Sequence, residues 1–193
     1  MRLLFIVILL MSTQIASAQV QMLPVDERGV HTFMEVSGFN AAPKEISVNI
    51  KRFFKANSKA LKLRSSKGDT AFYGTGKLVL AKNTSGIGHP SAEVNFNVSL
   101  ELKTGKYRLI FTDYILTPYE RDRYANFVTT TTKYRLEDRP GKLNRAEWEN
   151  NMKMIVAESA KLSGKLKSAM NSTPSDVGPE TKKPAAVSTT NWR

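Results

Sequence analysis

Apolar and polar residues alternate most cleanly along 93–102. Val94, Phe96, Val98, Leu100 and Leu102 interleave with Glu93, Asn95, Asn97, Ser99 and Glu101. A period of two puts the first set on one side of an extended strand and the second on the other, so one face is buried and one wet. Residues 103–106, with Gly105, turn the chain, and 107–115 return as the next strand of a hairpin. Upstream, 30–36 alternate and end at Gly38, a further strand. Asn40 is placed to cap the segment that follows, and Pro43 suits a first helical turn. Ile46, Ile50, Phe53 and Phe54 then recur at i, i+4, i+7 and i+8, one face of a helix that stops near Asn57.

Residues 60–64 alternate again, 65–69 read as a turn, and 70–81 as a strand with Phe72, Leu78 and Leu80 on one side. Gly74 and Gly76 fall on that same side, where a glycine marks a bulge or a close neighbour. Residues 83–90 read as a Gly- and Ser-bearing loop, and 116–142 show no sustained period, with an edge strand expected around 126–134. Asn144 followed by Glu147 resembles a capping box, and Trp148, Met152, Ile155, Ser159, Leu162, Leu166 and Ala169 mark one side of a helix reaching about Met170. Lys161, Lys165 and Lys167 suit the negative end of its dipole. The order β-α-β-β-β-β-α predicts an α+β fold: a two-layer sandwich in which two helices cover one face of an antiparallel sheet of about five strands.

The two ends of the chain read differently. Met1-Arg2, the apolar run 3–11 and Ala16-Ser17-Ala18 have the layout of a secretory signal cleaved after Ala18. The run is shorter than the roughly 20 apolar residues that span a bilayer. The expected product is exported, periplasmic or secreted, with a lead-in over 19–29, one domain over 30–170, and a disordered tail over 171–193 rich in Pro, Ser, Thr and Lys. No transmembrane segment is expected after cleavage.

Composition narrows the chemistry. The chain has 193 residues, no cysteine and two histidines, which excludes thiolate metal sites and disulfides. His31 and His89 lie far apart without ligand spacing, Gly74-x-Gly76 and Gly86-x-Gly88 lack the rest of a dinucleotide fingerprint, and no Gly-x-Ser-x-Gly occurs. No catalytic residue, metal ligand or cofactor is assigned.

The element order and several residues resemble a family of exported Bacteroidota proteins with a TBP-like fold, the domain of unknown function forty-four sixty-eight. The matching pieces are the strand and helix over 30–57, the Gly74-x-Gly76 strand, Gly105-Lys106-Tyr107-Arg108 leading into Phe111-Thr112-Asp113, and the closing helix with Trp148. The resemblance covers roughly 30–170. These are turn and packing residues, so it implies the fold and carries no catalytic residue across.

Charge placement is the most informative feature that remains. Lys and Arg total 29 against 17 Asp and Glu, and residues 44–82 hold ten of those cations against Glu45 and Asp69 alone. Lys51, Arg52, Lys55 and Lys59 belong to the outer side of the first helix or its end, and Lys62 and Arg64 alternate with Leu61 and Leu63, which aims them at the uncovered sheet face. Such a cluster attracts anions: an anionic envelope component, an acidic glycan or an acidic protein. The plainer reading is a solvated surface that aids solubility. The open sheet face is the second candidate, with Asn95, Asn97, Ser99, Arg108, Thr112 and Tyr114 pointing outward, groups suited to a glycan or peptide.

Three functions fit these features: a non-enzymatic binding or scaffolding module of the cell envelope, an envelope-polymer hydrolase built on carboxylates among Asp113, Glu120, Asp122 and Glu137, and a nucleic-acid binder. Export removes chromosomal nucleic acid as a partner, and the first is favoured. Asp69-Thr70-Ala71 also resembles a three-residue O-glycosylation site of exported proteins.

Overall fold

A computed structural model describes residues 22–39, 42–84, 87–138, 141 and 144–172. The signal-like segment 1–18, Asn40 and the tail from 173 onward lie outside the described residues.

The chain order is β1 (Phe33–Gly38), α1 (Pro43–Ala56), β2 (Leu61–Lys67), β3 (Ala71–Thr84), β4 (Ile87–Lys103), β5 (Lys106–Arg121), β6 (Phe127–Thr129), β7 (Tyr134–Arg135) and α2 (Arg145–Asn171). All strands pair antiparallel, in the order β1-β5-β4-β3-β2, and the short β6 and β7 both pair with β5. The sheet has seven strands instead of about five. The extra two come from the aperiodic 116–142 region, whose strands are two and three residues long and too short to show a period.

Both helices cover one face. Val94, Phe96, Val98, Leu100 and Leu102 of β4 are buried there with Phe72 and Leu80 of β3 and Leu109 and Phe111 of β5. Ile46, Ile50, Phe53 and Phe54 supply the α1 side, and Met152, Ile155, Leu162, Leu166 and Met170 the α2 side. The two glycines of β3 make this packing possible. A Cβ on Gly76 would stand 2.2 Å from the Phe96 ring, and one on Gly74 would stand 2.6 Å from the Lys62 carbonyl oxygen and 3.1 Å from the Phe54 ring. Leu23, within the expected lead-in, is also buried in this core.

Polar groups fix how the helices sit. Buried Ser159 and Ser163 stand on the inward side of α2 because the sheet offers them hydrogen-bond partners. The Tyr114 hydroxyl lies 3.1 Å from the Ser159 hydroxyl. Ser163 donates to the Glu35 carboxylate, which also accepts from the Tyr107 hydroxyl at 2.9 Å. Asn49, buried in α1, donates to the carbonyls of Met170 and Ser172 at 3.3 and 2.9 Å. The carbonyls at the end of α2 therefore take a neighbour's amide in place of the expected lysines. At the other end, Asn144 makes no side-chain cap, and Glu147 pairs with Lys82 at 3.1 Å, so no capping box forms.

Strand ends differ from the expected ones for local reasons. The 65–69 turn moves to 68–70, where Gly68 takes φ +58°. The 83–90 loop shrinks because β3 and β4 pair to Thr84↔Ile87, with the ladder shifting at Leu80 to admit Pro90 beside a bulge. In β5, Asp113 adopts φ 57° and the ladder to β4 jumps from Asn97↔Thr112 to Asn95↔Ile115. That bulge inserts one residue and reverses the alternation, so buried positions run Tyr107, Leu109, Phe111 and then Tyr114.

Candidate functional site

The six cations read from the sequence are all exposed, but the fold divides them between two layers. Lys51, Arg52 and Lys55 ride on the outer side of α1, since Ile50, Phe53 and Phe54 turn inward. Lys51 reaches Asp69 across the β2–β3 turn at 3.2 Å, and Arg52 reaches the Asn49 side chain at 3.5 Å. The hydroxyl of Ser47, then Lys51, hold the Asp69 carboxyl below the ordinary aspartate value.

Lys59, Lys62 and Arg64 come together on the open face of the sheet. Lys59 lies in the turn after α1. Lys62 and Arg64 alternate with Leu61 and Leu63, which pack toward the helices, and the ladder shifts between Leu63 and Ser65, leaving Arg64 as the extra residue of a bulge. Register then brings their neighbours alongside: Lys62 stands opposite Thr75, and Lys77 opposite Asn95. The result is an open groove of about 650 Å³ lined by Lys59, Lys62, Arg64, Lys77, Glu93 and Asn95.

The charges in this groove are unequal in standing. Lys77 pairs with Glu93 at 3.2 Å, and Glu93 also accepts from the Asn95 amide at 3.0 Å. Among the described residues, Lys59, Lys62 and Arg64 have no carboxylate within ion-pair distance. Four cations therefore face one carboxylate, and three positive charges are left to attract an anion. Sequence reasoning missed Lys77 and Thr75. The signal was present, because both are out of phase with Phe72, Leu78 and Leu80, but the two glycines between them obscured the phase of β3.

The remaining open-face candidates do not converge on the groove. Asn97 donates to Asp113 at 3.0 Å, Arg108 pairs with Glu101 at 2.6 Å, and Thr112 accepts from Arg28 at 3.0 Å. Ser99 lies half-buried between Tyr73 and Ile110 in the ladder. Tyr114 corrects the expectation outright: it is 1% exposed on the helix side, because the Asp113 bulge turns it over. Burial raises its hydroxyl pKa above the usual tyrosine value of 10.

The four carboxylates considered for hydrolysis occupy separate settings. Asp113 sits at the bulge with Asn97, and Glu120 is exposed on β5. Asp122 closes the β5–β6 turn by accepting the backbone N–H of Asn126 and of Tyr124, which keep its pKa low. Glu137 accepts the His31 backbone N–H at 2.9 Å and pairs with Arg135 at 3.5 Å. Among the described residues, no group of three His, Asp or Glu side chains is placed to hold a metal ion. None of their helices is long and apolar enough to cross a membrane. Thr70 is exposed, with its hydroxyl donating to the Lys67 carbonyl at 3.2 Å.

Two solved structures share this architecture. A TBP-like protein from Parabacteroides distasonis superposes with a TM-score of 0.60 at 13% identity, covering 78% of this chain and 97% of that one. A DUF4468 family protein from Bacteroides ovatus superposes with a TM-score of 0.56 at 14% identity, covering 81% of this chain and 94% of that one. The fold is TBP-like, and the second neighbour carries the family designation to which the turn and packing residues pointed. No family model and no curated protein matches the sequence. At these identities the likeness carries the fold and not an activity.

Proposed function

We propose that this protein is an exported, non-enzymatic binding or scaffolding module of the bacterial cell envelope that holds an anionic or glycan-bearing partner against the open face of its sheet. The observation that carries this reading is the convergence on one groove of Lys59, Lys62 and Arg64, none engaged by a carboxylate among the described residues. The leading 1–18 segment, laid out as a secretory signal, supports export, and the cationic surplus of the whole chain supports attraction to envelope anions.

The test uses vesicles containing an anionic phospholipid and, separately, lipopolysaccharide. Protein should associate with at least one at low ionic strength and release as salt rises, because contacts at an open surface are screened within about 10 Å at 0.1 M. Replacing Lys59, Lys62 and Arg64 together with Gln should weaken association on the order of tenfold, at up to about 1 kcal/mol per exposed contact. Replacing Lys51, Arg52 and Lys55 should do less. Association insensitive to salt, or equally weakened by the two triple variants, would overturn the groove as the site.

A further inference from the structure

The outer side of α1 carries a cationic stripe of its own, in the layer opposite the groove. We propose that the stripe seats on an anionic phospholipid bilayer while the groove holds a second anionic surface, so that one molecule joins the two. The second half rests on the role proposed for the groove.

Helical spacing builds the stripe. Lys44, Val48, Lys51 and Lys55 recur at i, i+4, i+7 and i+11, and Arg52 flanks them. At about 100° per residue they centre on the side of α1 opposite Ile46, Ile50 and Phe53, which are buried against the sheet. All five are exposed, and Val48 shows 53% of its surface to water.

Charge and shape decide what suits this side. Lys51 pairs with Asp69 at 3.2 Å, while Lys44 and Lys55 have no carboxylate within ion-pair distance among the described residues. Glu45 stands to one flank, so four cations meet two carboxylates. Beyond Ser172 the sequence holds Lys182, Lys183 and Arg193 against Asp176 and Glu180, and so supplies no surplus of negative charge to neutralise them. The outer side of a helix is convex and cannot enclose a small anion. A bilayer is broad enough to meet every position of the stripe at once. Long Lys and Arg stems keep their charges among lipid phosphates, and Val48 between them meets the boundary of headgroups and acyl chains.

The two layers keep the contacts apart. A helix with its side chains is about 10–12 Å across, and the sheet lies beneath it. The stripe and the groove on the sheet's far side are thus separated by more than the roughly 10 Å over which charge acts at 0.1 M salt. One flat surface cannot reach both, so two contacts require two surfaces.

The experiment mixes phosphatidylglycerol vesicles with separately labelled lipopolysaccharide vesicles and counts like and unlike pairs joined by the purified protein. At low ionic strength the protein should join vesicles, each cluster should include a phosphatidylglycerol member, and salt should disperse them. The K44Q/K51Q/R52Q/K55Q variant, compared at equal bound protein, should join at least about tenfold fewer, since each cation near an anionic leaflet counts for roughly fivefold in affinity. V48D places a carboxylate within the stripe, removes no cation and should act in the same direction. Association of the unaltered protein without joining would overturn this inference and leave the groove reading standing. No association at all would defeat the groove reading and this inference with it. Joining that survives K44Q/K51Q/R52Q/K55Q would come from paired copies held by their grooves, and would overturn the role of α1.

Discussion

The covered and open faces of this sheet hold carboxylates of the same kind in different ways. Under α2, Glu35 accepts hydroxyls from Tyr107 and Ser163, while Lys167 stands 4.0 Å away at the rim. On the open face, Glu101 and Glu93 meet Arg108 and Lys77, cations that are themselves about half exposed. The first arrangement ties a helix to an edge strand through hydroxyls that are themselves buried, and a buried hydroxyl left without its acceptor is penalised by its desolvation. The second is screened and contributes little to stability. The covered face therefore sets the fold, and the open face is free to carry cations that no internal partner requires.

Substitutions should separate the faces most sharply in the core. Phe96→Ala removes the ring that fills the space over Gly76 and should destabilise by roughly 3–5 kcal/mol in denaturant unfolding. Gly76→Ala attacks the same contact from the other side and should lose about 1–3 kcal/mol. A loss below about 0.5 kcal/mol for both would mean the ring does not pack as described.

Next comes the polar tie. Ser163→Ala takes one donor from Glu35 and should lower stability by about 1–3 kcal/mol. Arg108→Ala on the open face should lose under about 1 kcal/mol. Equal losses would erase the contrast between the faces.

Titration offers a readout of the same contrast. Burial, then the neighbouring Glu35 carboxylate, raise the Tyr107 pKa, and burial raises that of Tyr114, from the ordinary value of 10. The unfolded chain releases these protons first, so their contribution is intact below pH 10 and is lost as pH climbs beyond it. The surface carboxyls behave in the opposite sense. Asp26 is held below its ordinary value of 3.8, chiefly by the Val30 backbone N–H, and Asp122 likewise, chiefly by that of Asn126. Their contribution is present above about pH 3.8 and is lost as pH falls through the lower native values. Tyr107→Phe should flatten the alkaline decline of the melting temperature, and Asp26→Asn the acid one. An alkaline decline unaltered by Tyr107→Phe would mean that this hydroxyl has no part in it.

The smallest effect is expected where binding is proposed. Exchanging Lys59, Lys62 and Arg64 for Gln should change stability by no more than about 0.5 kcal/mol. A clear loss would make these residues structural instead of available.

Periodicity determined much of this molecule by itself. The strict alternation of 93–102 fixed which side of β4 is buried, and the i, i+4, i+7 spacing of Ile46, Ile50 and Phe53 fixed the inner side of α1, because burial of an apolar face follows from backbone geometry. The cluster of cations in 44–82 was equally plain. Two things required the folded chain. One residue inserted at Asp113 turns Tyr114 inward and carries β5 on to Arg121, a change that a period-two count cannot anticipate. The division of six cations into two layers depends on β2 crossing to the far edge of the sheet, and Lys77 joins three of them only through cross-strand register. Local patterns record which way a side chain faces; which side chains meet is decided by strand pairing and helix packing.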